Sequence, residues 1–201
     1  EAPGWNPAGL YGIQERSGTL ALNSYLVDTQ AGFASVAVPR QNGAWALSVT
    51  YVSYGEMRRT DESGQDLGTF GAADMAASVT VAQPLWRQWL MGGVSIKAVY
   101  SSIEDYSSDA YMADLGLLVH TPAEGLTLGA SLSNVGTVRS GYTGDFTDSL
   151  PVNLRVGLAH RPAHMPFPML VMADLNMPND ADPYVALGAE VQLPGGLYVR
   201  P

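Results

Sequence analysis

Over most of the chain, apolar side chains return on every second position in segments of about ten residues, the period of a strand with one greasy face. The clearest segment is 44–54. Trp45, Leu47, Val49 and Tyr51 point one way, and Ala46, Ser48 and Thr50 the other. Segment 70–83 sets Met75, Ala77, Val79 and Val81 against Asp74, Ala76, Ser78 and Thr80. Segment 90–100 sets Leu90, Val94, Ile96, Ala98 and Tyr100 against Gly93, Ser95 and Lys97. The same alternation predicts strands at 110–120, 126–134, 152–160, 169–177 and 184–192, two earlier ones near 20–28 and 32–38, and a start at Leu197. Helical spacing is poor throughout, because Gly, Thr, Val and Tyr dominate the periodic segments.

The connections sort into two kinds. Short ones are expected at 39–43, 84–87, 121–125, 161–167 and 193–196, the first with the Asn42-Gly43 pair that suits a hairpin. Longer, more polar ones are expected at 55–68, 101–109, 136–150 and 178–183, alternating with the short ones. Pro39, Pro84, Pro122, Pro162 and Pro194 cluster on the short side, where they end strands without removing a ladder bond. Tight turns on one rim, longer loops on the other, and greasy-out, small-in strands are what a barrel spanning an outer membrane requires. The fold expected is all-β: an antiparallel up-and-down transmembrane β-barrel forming a single domain over 1–201. A soluble β-sandwich is the competing reading. In the barrel, Trp45, Tyr51, Tyr100 and Tyr111 form a lipid-facing girdle at the headgroup level.

Composition narrows the classes. Charged residues are 14% and hydrophobic ones 46% of 201 residues, a low-charge chain. The net charge of −9 disfavours a nucleic-acid partner. The absence of cysteine removes disulfides and thiolate metal sites. Glu1-Ala2-Pro3-Gly4-Trp5 does not read as a native start, so a processed or partial chain is expected.

Several charges fall on the face assigned to the interior. Asp74, Lys97 and Asp114 lie on three successive strands, and hairpins centred in the expected turns place the lysine between both carboxylates. Arg155 and Asp174 pair by the same logic, and Glu190 faces inward alone. Such charges fix register and fill the lumen, or else line a polar path for a solute. On the lipid face a central Lys or Arg costs roughly 2–4 kcal/mol, so the interior is where they belong.

Other chemistry is weak. His120, His160 and His164 have no carboxylate at ligand spacing, which argues against a metal site. No Ser is tied to a His by spacing, and no enzyme or cofactor is expected. Asp145, Asp148, Asp180 and Asp182 read as solvated turn residues rather than a Ca²⁺ loop. Met57, Arg58 and Arg59 interrupt an acidic loop and offer a contact for lipopolysaccharide or a partner, against a default of solvation.

An ordered set of short motifs carries a family resemblance. Trp5-Asn6-Pro7-Ala8-Gly9-Leu10, Gly68-Thr69-Phe70, Lys97 with Tyr100 and Tyr106, Asp114-Leu115-Gly116-Leu117, Leu128-Gly129-Ala130-Ser131 with Asn134-Val135-Gly136, Pro178-Asn179-Asp180 and Leu187-Gly188-Ala189-Glu190 resemble the PorV/PorQ family of outer-membrane barrels. These are similar to the FadL long-chain fatty-acid channel. The resemblance implies a barrel of about fourteen strands, of which about ten are visible here, with a further N-terminal segment and further C-terminal strands. It implies a place in the outer membrane of a Gram-negative-type bacterium. It also implies a non-enzymatic role in type IX secretion or cell-surface assembly, with outer-membrane lipid and an envelope or surface protein as partners. In that role the loops at 55–68 and 136–150 contact the other protein. The alternative it implies is a FadL-like transporter of hydrophobic small molecules. The family's N-terminal plug has no counterpart among the residues read here.

Overall fold

The computed structural model describes residues 2–25, 28–142 and 149–200. Among these residues eleven strands form one antiparallel sheet in strict chain order. They are β1 (Ser17–Ser24), β2 (Gln30–Arg40), β3 (Gly43–Thr60), β4 (Asp66–Trp86), β5 (Leu90–Ile103), β6 (Tyr106–His120), β7 (Leu126–Ser140), β8 (Asn153–His160), β9 (Met169–Pro178), β10 (Tyr184–Leu193) and β11 (Leu197–Val199). Ahead of them stand a single helical turn, Ala2–Trp5, and a 3-10 helix, Pro7–Gly12. No helix among the described residues is long and apolar enough to cross a membrane, which says nothing of strands.

The all-β, up-and-down meander expected from the alternation is present. Where about ten strands were expected, eleven form, the last being the short pairing of Leu197–Val199 with β10. Among the described residues the sheet is open: β1 pairs only with β2, and β11 only with β10.

The rule of alternating loop lengths does not hold. The connection expected at 101–109 is a two-residue turn, Glu104-Asp105, and the one expected at 55–68 shrinks to 61–65. The polar segments pair as strand extensions instead, because Met57, Arg58 and Arg59 find ladder partners in Phe70, Thr69 and Gly68. Backbone groups satisfied in a ladder outweigh the polarity of their side chains. Meanwhile the supposedly short β8–β9 connection spans 161–168. The longest connection, 141–152, does fall on the rim where long loops are expected, but 104–105 on that rim is as short as any turn.

The two faces differ sharply. One carries Leu47, Val49 and Tyr51, each 46–47% exposed, with Val79, Ile96, Leu115, Val156 and Leu187 in the same condition. Among the described residues no second layer covers it. The other face carries small residues. Ala37, Ala44, Ala46 and Ala82 are buried there beneath Leu10, which is fully buried. Hydroxyls bridge neighbouring strands on this inner face: Ser48 to Ser78 at 2.6 Å and Thr80 to Ser95 at 2.7 Å.

Candidate functional site

The inner face is plugged. Asn6 caps the 3-10 helix, its side-chain oxygen accepting from the Ala8 amide at 3.0 Å, with Pro7 at the first helical position. Its Nδ2 donates to the carbonyls of Leu117 and Ala130, each at 3.1 Å, on β6 and β7. β5 and β6 receive the segment because they carry glycine beneath it. A Cβ on Gly116 would lie 2.1 Å from Asn6 Oδ1, and one on Gly93 2.3 Å from the Ala8 nitrogen. Leu10 anchors the far end against β2, β3 and β4. Trp5 meets β8, with the Arg155 guanidinium stacked 4.7 Å from its ring centre. One short segment thus lies across the face from β2 to β8. Sequence reasoning missed it, although Asn-Pro is a helix-start signal.

Beside the plug, Lys97, Asp114 and Asn134 form the best-buried ionic group. Lys97 Nζ lies 2.7 Å from Asp114 Oδ1 and 2.5 Å from Asn134 Oδ1. Asp114 is 3% exposed and also accepts from the Asn134 amide at 2.7 Å. Asn134 sits at a register slip where β6 skips from Ala113 to Leu115 against β7, with φ of 62°. This is a β-bulge, and asparagine tolerates that left-handed backbone. Its other amide end donates to the Pro151 carbonyl at 2.9 Å, tying β7 to the start of β8. The signal for the bulge lies in the sequence. Outward residues are even-numbered through Leu132 and odd-numbered from Val135 onward.

The expected triad is therefore different in membership. Asp74 faces Ser101 and Lys97 faces Ser78, so Asp74 does not reach the lysine. Asp74 instead accepts from the Tyr54 hydroxyl at 2.7 Å and from Ser101, which also bonds Tyr142. Lys97 faces Met112 and reaches Asp114 on the diagonal. The misreading came from centring each hairpin by charge. The β4–β5 turn in fact falls at 87–89, where Arg87 has a φ of 49°.

Arg155 and Asp174 do not pair either. Arg155 faces Asn176 and donates to it at 2.6 Å. Asp174 faces Gly157, and its carboxylate lies so close over that residue that a Cβ there would sit 1.8 Å from Oδ1. Glu190 is not alone: Arg200 Nε lies 2.6 Å from it. Arg58 and Arg59 are engaged by Asp66 and Glu104 rather than left for a ligand. On the opposite face Tyr51, Tyr100 and Tyr111 are exposed and Trp45 is half-buried. Asp145 and Asp148 lie outside the described residues.

Two inner cavities flank the plug. One of about 210 Å³ is bounded by Leu10, Phe33, Ser48, Thr80, Lys97 and Asp114. The other, about 240 Å³, lies between Trp5, Gly129, Arg155, Gly157 and Asp174. Among the described residues no three His, Asp or Glu side chains gather as a metal site. Small walls, the Lys97–Asp114 pair and the helical segment together occupy much of the inner face.

Charge is divided between the rims. At the turn ends of β2–β3, β4–β5 and β8–β9 stand Arg40, Arg87 and Arg161, with Glu124 at the β6–β7 turn. The opposite rim carries Glu56, Asp61, Glu62, Asp66, Glu104, Asp105, Asp109, Asp180 and Asp182 against Arg58, Arg59 and Arg139. Asp61 Oδ1 accepts from the Ser63 hydroxyl and from the Ser63 and Gln65 amides, which holds its carboxyl below the usual range. Arg139 is held by the Asp109 carboxylate, its Nε 2.7 Å from Oδ2.

No family model matches the chain, and no curated protein matches it.

Proposed function

We propose that this chain is a non-enzymatic outer-membrane β-barrel of the PorV/PorQ type. In this reading it acts in protein secretion or cell-surface assembly, with lipid around its wall and a protein partner at its acidic rim. The observation that carries the reading is the exposed apolar face running from β1 to β11 around a small-residue interior with a plug. A soluble protein rarely leaves so large an apolar face open.

The dimensions support the same reading. On β4 the outward row from Met75 to Leu85 spans about 33 Å along the strand, or about 25 Å along a barrel axis at a tilt of about 40°. That is the height of a lipid-facing band. Exposed Tyr51, Tyr100 and Tyr111 stand toward one end of it, and exposed Trp86 and Trp89 at the other.

Strand parity bears on closure. Eleven antiparallel strands leave β1 and β11 running in the same direction. Antiparallel closure therefore takes an odd number of further strands, giving the even totals of bacterial barrels, including the FadL-like fourteen of the resemblance. The plugged interior and its Ala, Ser and Thr walls favour a scaffold over a conduit for hydrophobic solutes.

Two measurements test the reading. The protein is expected in the outer-membrane fraction, extractable only with detergent, and to co-purify with an envelope or surface protein after mild cross-linking. Recovery as a monodisperse protein in water without detergent would overturn the membrane assignment. A clean, partner-free monomer at native abundance would overturn the assembly role.

A further inference from the structure

We propose that the outer face holds a phospholipid, its acyl chain in a groove between β4 and β8 and its phosphate beside Arg87. The proposal rests on the membrane reading above and adds to it a ligand class and a place.

The groove follows from register. Val94, Leu115, Leu132 and Leu154 are successive cross-strand partners and form one raised row on β5 to β8. In the next row toward the short turns, Gly92 faces Leu117 and Leu117 faces Ala130. Two of those three positions have almost no side chain, so the wall sinks there. The depression measures about 480 Å³ and is lined mainly by apolar atoms, with Gln83 at its β4 edge. Leu85 closes its end toward the turn by leaning onto Gly92.

A hollow in a lipid-facing wall fills with hydrocarbon, because bulk tails that bridge it leave van der Waals contacts unmade. What distinguishes a retained lipid from passing ones is the head. Arg87 stands two residues beyond Leu85, exposed in the β4–β5 turn. Exposed Trp86 and Trp89 flank it, as anchors at headgroup level do. Among the described residues Arg40 and Arg161 share this rim with one acid, Glu124 at the β6–β7 turn, while nine acids crowd the other, so the balance of charge at the groove's end suits an anionic head.

The test uses the full chain in detergent, mixed with dioleoyl-phosphatidylglycerol or with dioleoylglycerol, and native mass spectrometry to count retained lipid. Phosphatidylglycerol should survive activation that strips dioleoylglycerol. Ala130→Phe, which fills the hollow, should abolish retention. Arg87→Gln should weaken it about fivefold, and Val36→Phe on the outer face of β2 should leave it unchanged. Arg87→Gln alters an exposed turn and keeps the test valid if the larger side chain at 130 prevents folding. Equal retention by wild type, Ala130→Phe and Arg87→Gln, or no retention by a protein that inserts into membranes, overturns the lipid site alone. A protein that stays in water without detergent overturns the membrane reading and this site with it.

Discussion

Lys97 holds its charge between two acceptors on two different strands, and that makes it a stability determinant. Replacing it leaves Asp114 buried against a lost cation and frees Asn134 on the bulge. Lys97→Met should lower stability in detergent by roughly 1–3 kcal/mol, read as a drop in melting temperature. An unchanged melting temperature would show that water in the adjoining cavity already screens the pair. At the acidic rim, Asp61 organises its own turn through three accepted bonds. Its carboxyl lies lower in the folded chain than in the unfolded one, so its contribution is present above the unfolded value and is lost as pH falls through the folded one. Carboxyl NMR should show Asp61 titrating below the ordinary aspartate range, with exchange of the Gln65 amide accelerating as the carboxyl is protonated.

Among the elements, the segment from Trp5 to Ile13 is held by sheet backbone more than by side chains. Asn6 bonds two strand carbonyls, and glycines at 93 and 116 leave room for Pro7 and Ala8. Gly116→Val puts carbon where Asn6 Oδ1 now sits, so the segment should leave the face. Limited proteolysis should then release an N-terminal fragment that is protected in the wild type, and the inner cavities should join. Asn6→Ala keeps the space and removes the bonds, at about 0.5–1.5 kcal/mol each, and should loosen the plug without expelling it. If both variants are cleaved no faster than wild type, the helix is not held in this way. The β3–β4 hairpin is the second notable element, since its far end is tied by Arg58 to Asp66 and by Arg59 to Glu104 on the next turn. Exposed pairs such as these add little energy.

For the whole molecule, the question is which solvent meets the apolar face. Val79 lies mid-strand on β4, half exposed, in the row between Met75 and Leu85. In a bilayer, Val79→Arg should cost roughly 2–4 kcal/mol of folding free energy, seen as a shifted denaturant midpoint for folding into vesicles. On a water-facing surface the same change would stay within about 0.5 kcal/mol. A negligible shift would mean that hydrocarbon does not cover this face.

Side-chain alternation with period two was enough to define the strands and their two faces. The contrast between Leu47, Val49 and Tyr51 on one side and Ala46, Ser48 and Thr50 on the other is a local property of extended backbone, and no distant residue alters it. Register, loop geometry and the plug are not local. Charge matching placed Asp74 beside Lys97, but hairpin register follows the turn, and the β4–β5 turn falls at 87–89, which sets Asp74 opposite Ser101. Only the folded sheet decided that Asn134 would bulge toward Asp114, that polar segments would extend β3 to β6, and that Asn6 would cap a helix lying over Gly93 and Gly116. Each depends on groups remote in sequence meeting at one place, and pair energies of a kcal/mol or two yield to whatever backbone pairing satisfies the most hydrogen bonds at once.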